Sequence, residues 1–367
     1  MYLRQTMYQM SVRLKSIIWV FHKAHVENLV AMIVGIVYAR SVSLPKIAQH
    51  APIKQIQLES RVQRFERLLE CGKIVPLELL KPIASRVLRF VSRKSEPLMI
   101  LMDRSMIRDT LNLLHVAVAF GGRALPLGWV RVAHEGTSDL KLQKELLTWL
   151  KDCLPRGVEV FIVADREFHS IHLAQWIETE MGCHFVLRNK VNTWIELGGE
   201  WKKALSLAVK GGRRFYCNVR VTRDPKATHR VNLATVWSVT ESEPWLLISD
   251  VADPSLIESI YAKRFWIEEM FSDHKSRGLN LEATRITDST RLQRLLVALV
   301  IAYLWIMEVG ALVVTKDLWR QVDNRGARRS VSLCQIGLRW LTELFHQGSV
   351  PHLLTCRFDP IVEALKT

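Results

Sequence analysis

One stretch of the chain carries charged and aromatic side chains at the spacing of a helix. Asp253 suits an N-cap, Pro254 the first helical position and Gly278 the position just past the end, so the pattern predicts one long helix between them. Steps of three, four and seven residues place four side chains in one stripe along that helix. These side chains are Tyr261, Arg264, Glu268 and Lys275.

Spacing alone leaves two interpretations of this stripe open. A carboxylate between cations is typical of a solvated salt-bridge face. The same residue types would also serve as a metal-binding carboxylate flanked by cations that bind phosphate. The apolar residues that lie away from the stripe, and that we expect to pack on a core, are Ile260, Phe265, Ile267 and Phe271.

Two aspartates each follow a short apolar run that predicts a strand. Asp103 ends PLMILM, and Asp165 ends VEVFIVA. At a strand end a side chain can point into the crevice where open α/β sheets hold their sites, although a turn or cap role is the alternative. With Glu268 they make three carboxylates, which is what two Mg²⁺ ions need. Paired Mg²⁺ ions can activate a water or a 3′-hydroxyl in phosphoryl transfer.

The charge of the chain indicates a polyanionic partner. Among 367 residues, 51 Lys and Arg face 36 Asp and Glu, giving a net charge of +15. Nucleic acid is the first candidate and an anionic membrane surface the second. The N-terminus shows no apolar run followed by a small-residue cleavage site. The cysteines lack CxxC and zinc spacing, which favours free thiols in a reducing cytoplasm; they are Cys71, Cys153, Cys183, Cys217, Cys334 and Cys356.

The periodicity divides the chain into parts. Residues 1–92 are predicted to be mostly helical, with Val26–Tyr38 as one buried helix. Two short helices around residues 43–71, the second of them basic, fit either a helix-turn-helix or a plain helical bundle with a basic surface. Residues 311–367 are predicted as a basic helical region that could serve dimerisation. The longest apolar run, Leu295–Met307, is too short to span a bilayer and predicts a buried core helix.

Residues 93–310 show alternating strand and helix patterns. Two runs joined by Gly121-Gly122 predict a β-hairpin, and the runs that follow predict a mixed α/β sheet with helices on its faces. Residues 191–244 interrupt this pattern with turn signals, alternating strand-like runs and many cations, which predicts a basic β-rich insertion. The run PWLLISD then predicts a return to a buried strand.

The spacing Tyr261-x2-Arg264-x3-Glu268-x6-Lys275 resembles the signature of bacterial insertion-sequence transposases of the IS-four family. The segments LMDRS around Asp103 and VADRE around Asp165 are similar to that family's first and second catalytic aspartates. The stretch SLCQIGLRWL near the C-terminus is also similar to members of the group. The resemblance covers about residues 96–345.

This resemblance implies an RNase H-like catalytic domain with a β-strand insertion before the helix that carries the glutamate. Asp103, Asp165 and Glu268 would then be catalytic and would hold Mg²⁺, for which Mn²⁺ could substitute. The residues that would contact DNA near the cleaved end are Tyr261, Arg264, Lys275, Arg188 and Trp245. Trp245 matches an aromatic position that stacks on an extruded base; a core role is its alternative, and Trp194, Trp201 and Trp237 are the fallback candidates.

The function predicted on this basis is a DNA transposase. It would bind terminal inverted repeats in double-stranded DNA, cleave the element ends by hydrolysis and join the 3′-hydroxyl ends to target DNA. We expect a homodimer in the DNA complex, no membrane partner, and a place in the bacterial cytoplasm with the nucleoid. An RNase H-like nuclease without strand transfer and a catalytically silent DNA-binding derivative are the alternatives.

Overall fold

The computed structural model describes residues 2–18, 22–53, 57–92, 96–108, 110–133, 136–323, 329, 331–349 and 355. The described part of residues 1–92 is helical, as predicted. Its helices are α1 (Tyr2–Ile17), α2 (Lys23–Ala39), α3 (Leu44–His50), α4 (Leu58–Glu70) and α5 (Pro76–Val91). The apolar block Val26–Tyr38 lies within α2, whose residues from Leu29 to Val37 are all buried. An apolar surface all round a helix requires neighbours on every side, so α2 lies inside the helical layer.

The strands begin after residue 97. In chain order they are β1 (Leu98–Ile107), β2 (Leu111–Phe120), β3 (Arg123–Arg131), β4 (Val160–Ala164), β5 (His184–Arg188), β6 (Trp194–Leu197), β7 (Glu200–Lys203), β8 (Arg213–Val221), β9 (Arg230–Val236) and β10 (Trp245–Ser249). Helix α6 (Leu140–Lys151) connects β3 to β4, and α7 (Ile171–Trp176) with a π-helical turn, Ile177–Met181, connects β4 to β5.

All ten strands form one mixed sheet in the order β3-β2-β1-β4-β5-β10-β9-β8-β6-β7. Strands β1, β2 and β3 are antiparallel, and the predicted hairpin at Gly121-Gly122 joins β2 to β3. Strands β4 and β5 then run parallel to β1, each after a helical crossover. Three antiparallel strands followed by two parallel ones, in the order 3-2-1-4-5, is the RNase H-like arrangement. The predicted fold class is therefore confirmed.

The β-rich segment before the signature helix is also present. Its strands β6 to β9 continue the central sheet, because β10 pairs antiparallel with β5 on one side and with β9 on the other. Strand β7 lies at the free edge of the sheet. The alternating sequence patterns correctly predicted strands β8 and β9, which pair with each other in antiparallel register.

The predicted long helix between Asp253 and Gly278 is not continuous. It consists of α8 (Pro254–Ala262), α9 (Phe265–Ser272) and a π-helical turn, Asp273–Arg277. Asp253 caps α8 as predicted, with its carboxylate accepting from the Ser255 and Leu256 amides at 2.8 and 3.3 Å. The break arises because the amides of Lys263, Arg264, Trp266 and Ile267 bond to carbonyls three residues back, which tightens the turn without proline or glycine.

The C-terminal helices are α10 (Ser289–Thr315) and α11 (Leu333–His346). Helix α10 has the length and apolar composition of a membrane span, but 94% of its most apolar window is buried inside the fold. The run Leu295–Met307 is thus a core helix, as predicted. Helix α10 packs against α11 through Gly310 of α10 and Gly337 of α11. A Cβ added at Gly310 would lie 2.1 Å from a carbonyl oxygen of α11, and one added at Gly337 would lie 1.9 Å from a carbonyl oxygen of α10.

Candidate active site

The parallel pairing of β1 and β4 brings two aspartates to neighbouring positions. The last paired residues are Met102 and Ala164, and the next residues along the two strands are Asp103 and Asp165. The prediction that Asp103 ends its strand is wrong, because β1 continues to Ile107 through its pairing with β2. Asp103 lies where β1 loses β4 as a neighbour, so its side chain still reaches the crevice beyond β4.

Arg264 links the first aspartate to the signature glutamate. Its guanidinium donates to Asp103 Oδ2 at 3.3 Å and also bonds to Glu268 Oε1. The Arg264 side chain is only 5% exposed, whereas that of Glu268 is 51% exposed. A solvated salt-bridge face does not bury its arginine, so the stripe is a partly buried site and the solvated interpretation is wrong for Arg264.

Tyr261 and Arg188 contact the second aspartate. The Tyr261 hydroxyl donates to Asp165 Oδ1 at 3.2 Å, and Arg188 Nη1 lies 3.6 Å from the same oxygen. Tyr261 is fully buried. Burial is the larger cause, and the negative charge of Asp165 the next, of the raised pKa of its hydroxyl. The phenol therefore remains a neutral donor at physiological pH. Five of the predicted site residues are thus joined by direct contacts: Arg264 with Asp103 and Glu268, and Tyr261 with Asp165.

Burial is the main influence on the ionisation of Asp103. Burial raises the pKa of the Asp103 carboxyl to about 6, and the negative charges of Asp165 and Glu268 act in the same direction. The Arg104 amide, which donates to Asp103 Oδ1 at 2.7 Å, and the Arg264 guanidinium oppose this rise. Three carboxylates thus influence one another within the same crevice.

A metal ion would have suitable ligands here, but the carboxylates are not gathered around a common point. No group of three His, Cys, Asp or Glu side chains with metal-binding geometry occurs in the described ranges. The Arg264 guanidinium stands between Asp103 and Glu268 and satisfies both. The donor chemistry fits Mg²⁺, whose preferred ligands are carboxylate oxygens. Arg264 would have to exchange its carboxylate partners before an ion could bridge them.

Lys275 lies in the π-helical turn at the end of the signature. The pKa of His115 is lowered to about 3, mainly because the imidazole is buried and to a smaller extent because of the positive charge of Lys275. His115 is the cross-strand partner of Asp103, and the charge of Lys275 acts on this buried imidazole. Asp273 anchors the turn: it is buried, bonds to Arg123 Nε at 2.8 Å and accepts from the Tyr303 hydroxyl at 3.2 Å.

Trp245 is half-buried at the start of β10. Its ring packs edge-on against Tyr261 with centroids 5.0 Å apart, and lies 6.0 Å from Phe265. Phe265, expected in the core, is 39% exposed and lies beneath the Arg264 guanidinium. A cavity of about 600 Å³ opens beside these rings and is also lined by Trp237. Trp245 thus borders both the crevice and an open cavity.

Several charged residues of the site were not singled out from the sequence. Arg104 bonds to Glu167 at 2.9 Å, and Glu167 accepts from Ser138, so the segments after the two aspartates are tied together. Arg166 and Arg188 both reach Glu243, at 2.8 and 3.8 Å. The available signal was the repeated Asp-Arg pair at residues 103–104 and 165–166.

The fold and this crevice define an RNase H-like protein with two aspartates at the point where its central parallel strands β1 and β4 cease to pair. The family model of the transposase DDE domain matches residues 107–305, and the chain belongs to that family. The matched range includes Asp165 and the whole Tyr261–Lys275 signature, and it begins four residues after Asp103. No curated protein matches the chain. Among solved structures, it is similar to a piggyBac transposase synaptic complex with hairpin DNA, with 13% identity, a TM-score of 0.45, and 94% of this chain and 78% of that chain covered.

Proposed function

We propose that this protein is a DNA transposase of the bacterial IS-four type. It binds the terminal inverted repeats of its element, cleaves the ends by metal-dependent hydrolysis and joins the 3′-hydroxyl ends to target DNA. The observation that carries the proposal is the set of contacts that unites the signature with the strand aspartates: Arg264 with Asp103 and Glu268, and Tyr261 with Asp165. Family membership supplies the reaction class.

Asp103, Asp165 and Glu268 would hold Mg²⁺, or Mn²⁺ in its place. Bound metal would supply an activated oxygen nucleophile and stabilise the leaving oxygen. The neighbouring positions of Asp103 and Asp165 support this assignment, because the negative charges of Asp165 and Glu268 add to burial in raising the pKa of Asp103, and a divalent ion would offset both effects. A bound ion would reverse that shift and keep Asp103 ionised.

The cations of the crevice would hold the DNA backbone. Arg264 and Arg188 are paired with carboxylates, and a phosphate offers each guanidinium two acceptor oxygens. We propose that Arg264 transfers from Asp103 and Glu268 to a phosphate beside the scissile bond. This exchange frees both carboxylates for metal, so DNA binding and metal binding would favour each other. Lys275 would contact the phosphate from the Asp103 side.

Trp245 would hold a base that leaves the stack near the cleaved end. Its half-buried ring beside an open cavity is the arrangement that such a role needs, and stacking on an aromatic ring contributes about 1–3 kcal/mol per base. Replacing Trp245 by Ala should spare end binding and slow the steps that follow the first nick. If end binding fell as much as the rate of the later steps, Trp245 would instead be assigned to the core.

The arrangement of parts follows from the same function. Residues 1–92 would bind DNA, residues 93–310 would carry the chemistry around the 191–244 insertion, and residues 311–367 would contribute to dimerisation. Two element ends must be held together for joining, so we propose a homodimer in the DNA complex. The protein would act in the bacterial cytoplasm at the nucleoid.

The test uses a labelled duplex that carries the inverted repeat flanking the coding region, incubated with the protein and Mg²⁺. Cleavage followed by joined products supports the transposase. Cleavage without joining would replace it by a nuclease, and binding without cleavage by a silent derivative.

A matched pair of variants assigns the chemistry to the crevice. Glu268→Gln should abolish cleavage while end binding is retained, because the amide keeps the shape of the side chain but is a poor metal ligand. Glu269→Gln is the control: Glu269 is the next residue, and its carboxylate bonds to Arg123 and Arg277 away from the two aspartates. Equal loss of cleavage in both variants would refute the role of Glu268.

A further inference from the structure

A second cationic cluster lies far from the crevice, at the free edge of the sheet. Two tryptophans there, Trp194 on β6 and Trp201 on β7, are each covered by cations. Lys203 Nζ lies 3.9 Å and the Arg223 guanidinium carbon 3.6 Å from the centroid of Trp194. The Arg220 guanidinium carbon lies 5.7 Å from the centroid of Trp201. We call these five residues the edge cluster.

The cations of the edge cluster are oriented by backbone carbonyls and aromatic rings. Arg220 is held by backbone carbonyls and lies 3.8 Å from Glu196. In the ranges that the structure covers, no carboxylate lies within ion-pair distance of Arg223 or Lys203. Stacking on Trp194 orients both charges, and Lys203 also donates one N–H to the Asn192 carbonyl at 2.8 Å. Immobile cations lose less conformational entropy on binding than free surface lysines do.

The backbone beside the cluster is held in an uncommon conformation. Thr222 has a φ of +68°, a region that β-branched residues rarely adopt. Its amide donates to the Trp194 carbonyl at 2.8 Å, and this contact directs the next residue, Arg223, over the indole. Such conformations persist where the surrounding structure enforces them, and they concentrate at binding sites.

The position of the edge cluster specifies what it could contact. Five strand spacings separate β4, which leads into Asp165, from β6 in the sheet order. At about 4.8 Å per strand, this is about 24 Å across the sheet. B-form DNA rises 3.4 Å per base pair, so a duplex entering the crevice would pass the cluster about 7 bp from the cleaved phosphate.

Resting on the proposed function, we infer that the edge cluster is a clamp for the phosphate backbone of the element-end duplex, about 7 bp inward from the cleaved bond. Trp194 serves to hold cations here, since its ring is already engaged by two of them. The occupant is duplex DNA of the element end, because only a stiff duplex keeps a fixed distance between the crevice and the edge. Charge complementarity supplies the attraction: residues 191–244 contain nine Lys and Arg against five Asp and Glu.

The experiment measures binding of the full-length protein to element-end duplexes of about 5 and about 20 bp, counted from the cleaved bond, in EDTA at several salt concentrations. The test variant carries Lys203→Gln and Arg223→Gln. We expect it to bind the longer duplex roughly tenfold more weakly, with the slope of log K against log salt reduced by about 2, and to bind the shorter duplex as the wild type does.

Lys226→Gln is the matched control, since Lys226 is an exposed cation three residues from Arg223 that contacts no aromatic ring in the described structure. It should leave both duplexes unaffected. Trp194→Leu should weaken binding of the longer duplex while the thermal midpoint and the salt slope stay near wild type. Equal effects of the double variant and the control, or equal losses on both duplexes, would overturn the clamp.

Two further outcomes have separate meanings. A loss confined to unrelated duplexes would assign the cluster to target DNA and refute the inference. If the wild type neither prefers nor cleaves the element end, the proposed function itself fails. A wild type that cleaves the end normally, with a silent edge cluster, refutes the clamp alone.

Discussion

Asp103 offers a direct test of the electrostatics of the crevice. Its carboxyl has a folded-state pKa of about 6 against an ordinary value of 3.8, mainly because of burial. A raised acid pKa means that the folded protein binds the proton more tightly than the unfolded chain does. The contribution of Asp103 to the free energy of unfolding therefore falls as pH rises from about 4 to about 6, and it stays lower above that range. Replacing Asp103 by Asn removes this ionisation.

The magnitude follows from the size of the shift. About two pKa units at 1.36 kcal/mol each correspond to roughly 3 kcal/mol, an upper value because the Asp103 side chain keeps 19% of its exposure. The Arg264 guanidinium loses one partner in the variant at every pH but retains Glu268. The difference in unfolding free energy between Asp103→Asn and wild type should therefore become more favourable to the variant by about 1–3 kcal/mol between pH 4 and pH 8.

The assay is urea unfolding of both proteins in EDTA across this pH range, followed by the same series with Mg²⁺. The ion should stabilise ionised wild type selectively and reduce the advantage of the variant above pH 6. A difference in unfolding free energy that is independent of pH would refute the buried, charge-crowded description of Asp103. An advantage that Mg²⁺ leaves unchanged would refute its assignment as a metal ligand.

Three other predictions concern the supports of the site. Gly337→Ala should destabilise the protein by about 1–3 kcal/mol in thermal or urea unfolding, since its Cβ would meet a carbonyl oxygen of α10; a neutral effect would contradict the close helix contact. Asp273→Ala should cost about 1.5–3 kcal/mol through the loss of its charged hydrogen bonds, since Arg123 keeps Glu269 as a partner, and Asp273→Asn should cost clearly less; equal stabilities would exclude the ion pair as an anchor. Tyr261→Phe should lose about 0.5–1.5 kcal/mol of stability and also slow end cleavage, which a cleavage assay at matched folded fractions would show; wild-type cleavage would make the hydroxyl dispensable.

Local sequence determined much of the fold. Hydrophobic periodicity located the N-terminal helices, the hairpin at Gly121-Gly122, the buried strands and the core helix Leu295–Met307, because each signal lies within a few residues and reflects burial of one face. The signature spacing likewise paired Arg264 with Glu268, which are four residues apart and meet on one helical turn.

Contacts between distant segments were decided only by tertiary structure. The neighbouring positions of Asp103 and Asp165 depend on the register of β1 against β4, and no local pattern encodes register between strands 62 residues apart. The continuation of the sheet through β10 into β6–β9 depends on pairing across the insertion in the same way.

The broken signature helix is the clearest case of tertiary control. Residues 253–278 have caps and spacing suited to one helix, yet its last turn is π-helical and begins at Asp273, which forms an ion pair with Arg123 and accepts a hydrogen bond from Tyr303. Burial of Arg264 has the same origin: its partners come from β1 and from its own helix, so whether the stripe faced solvent or a crevice depended on what packed against it. The sequence by itself determined which residue types share a helix, and packing of distant strands determined that they form a site.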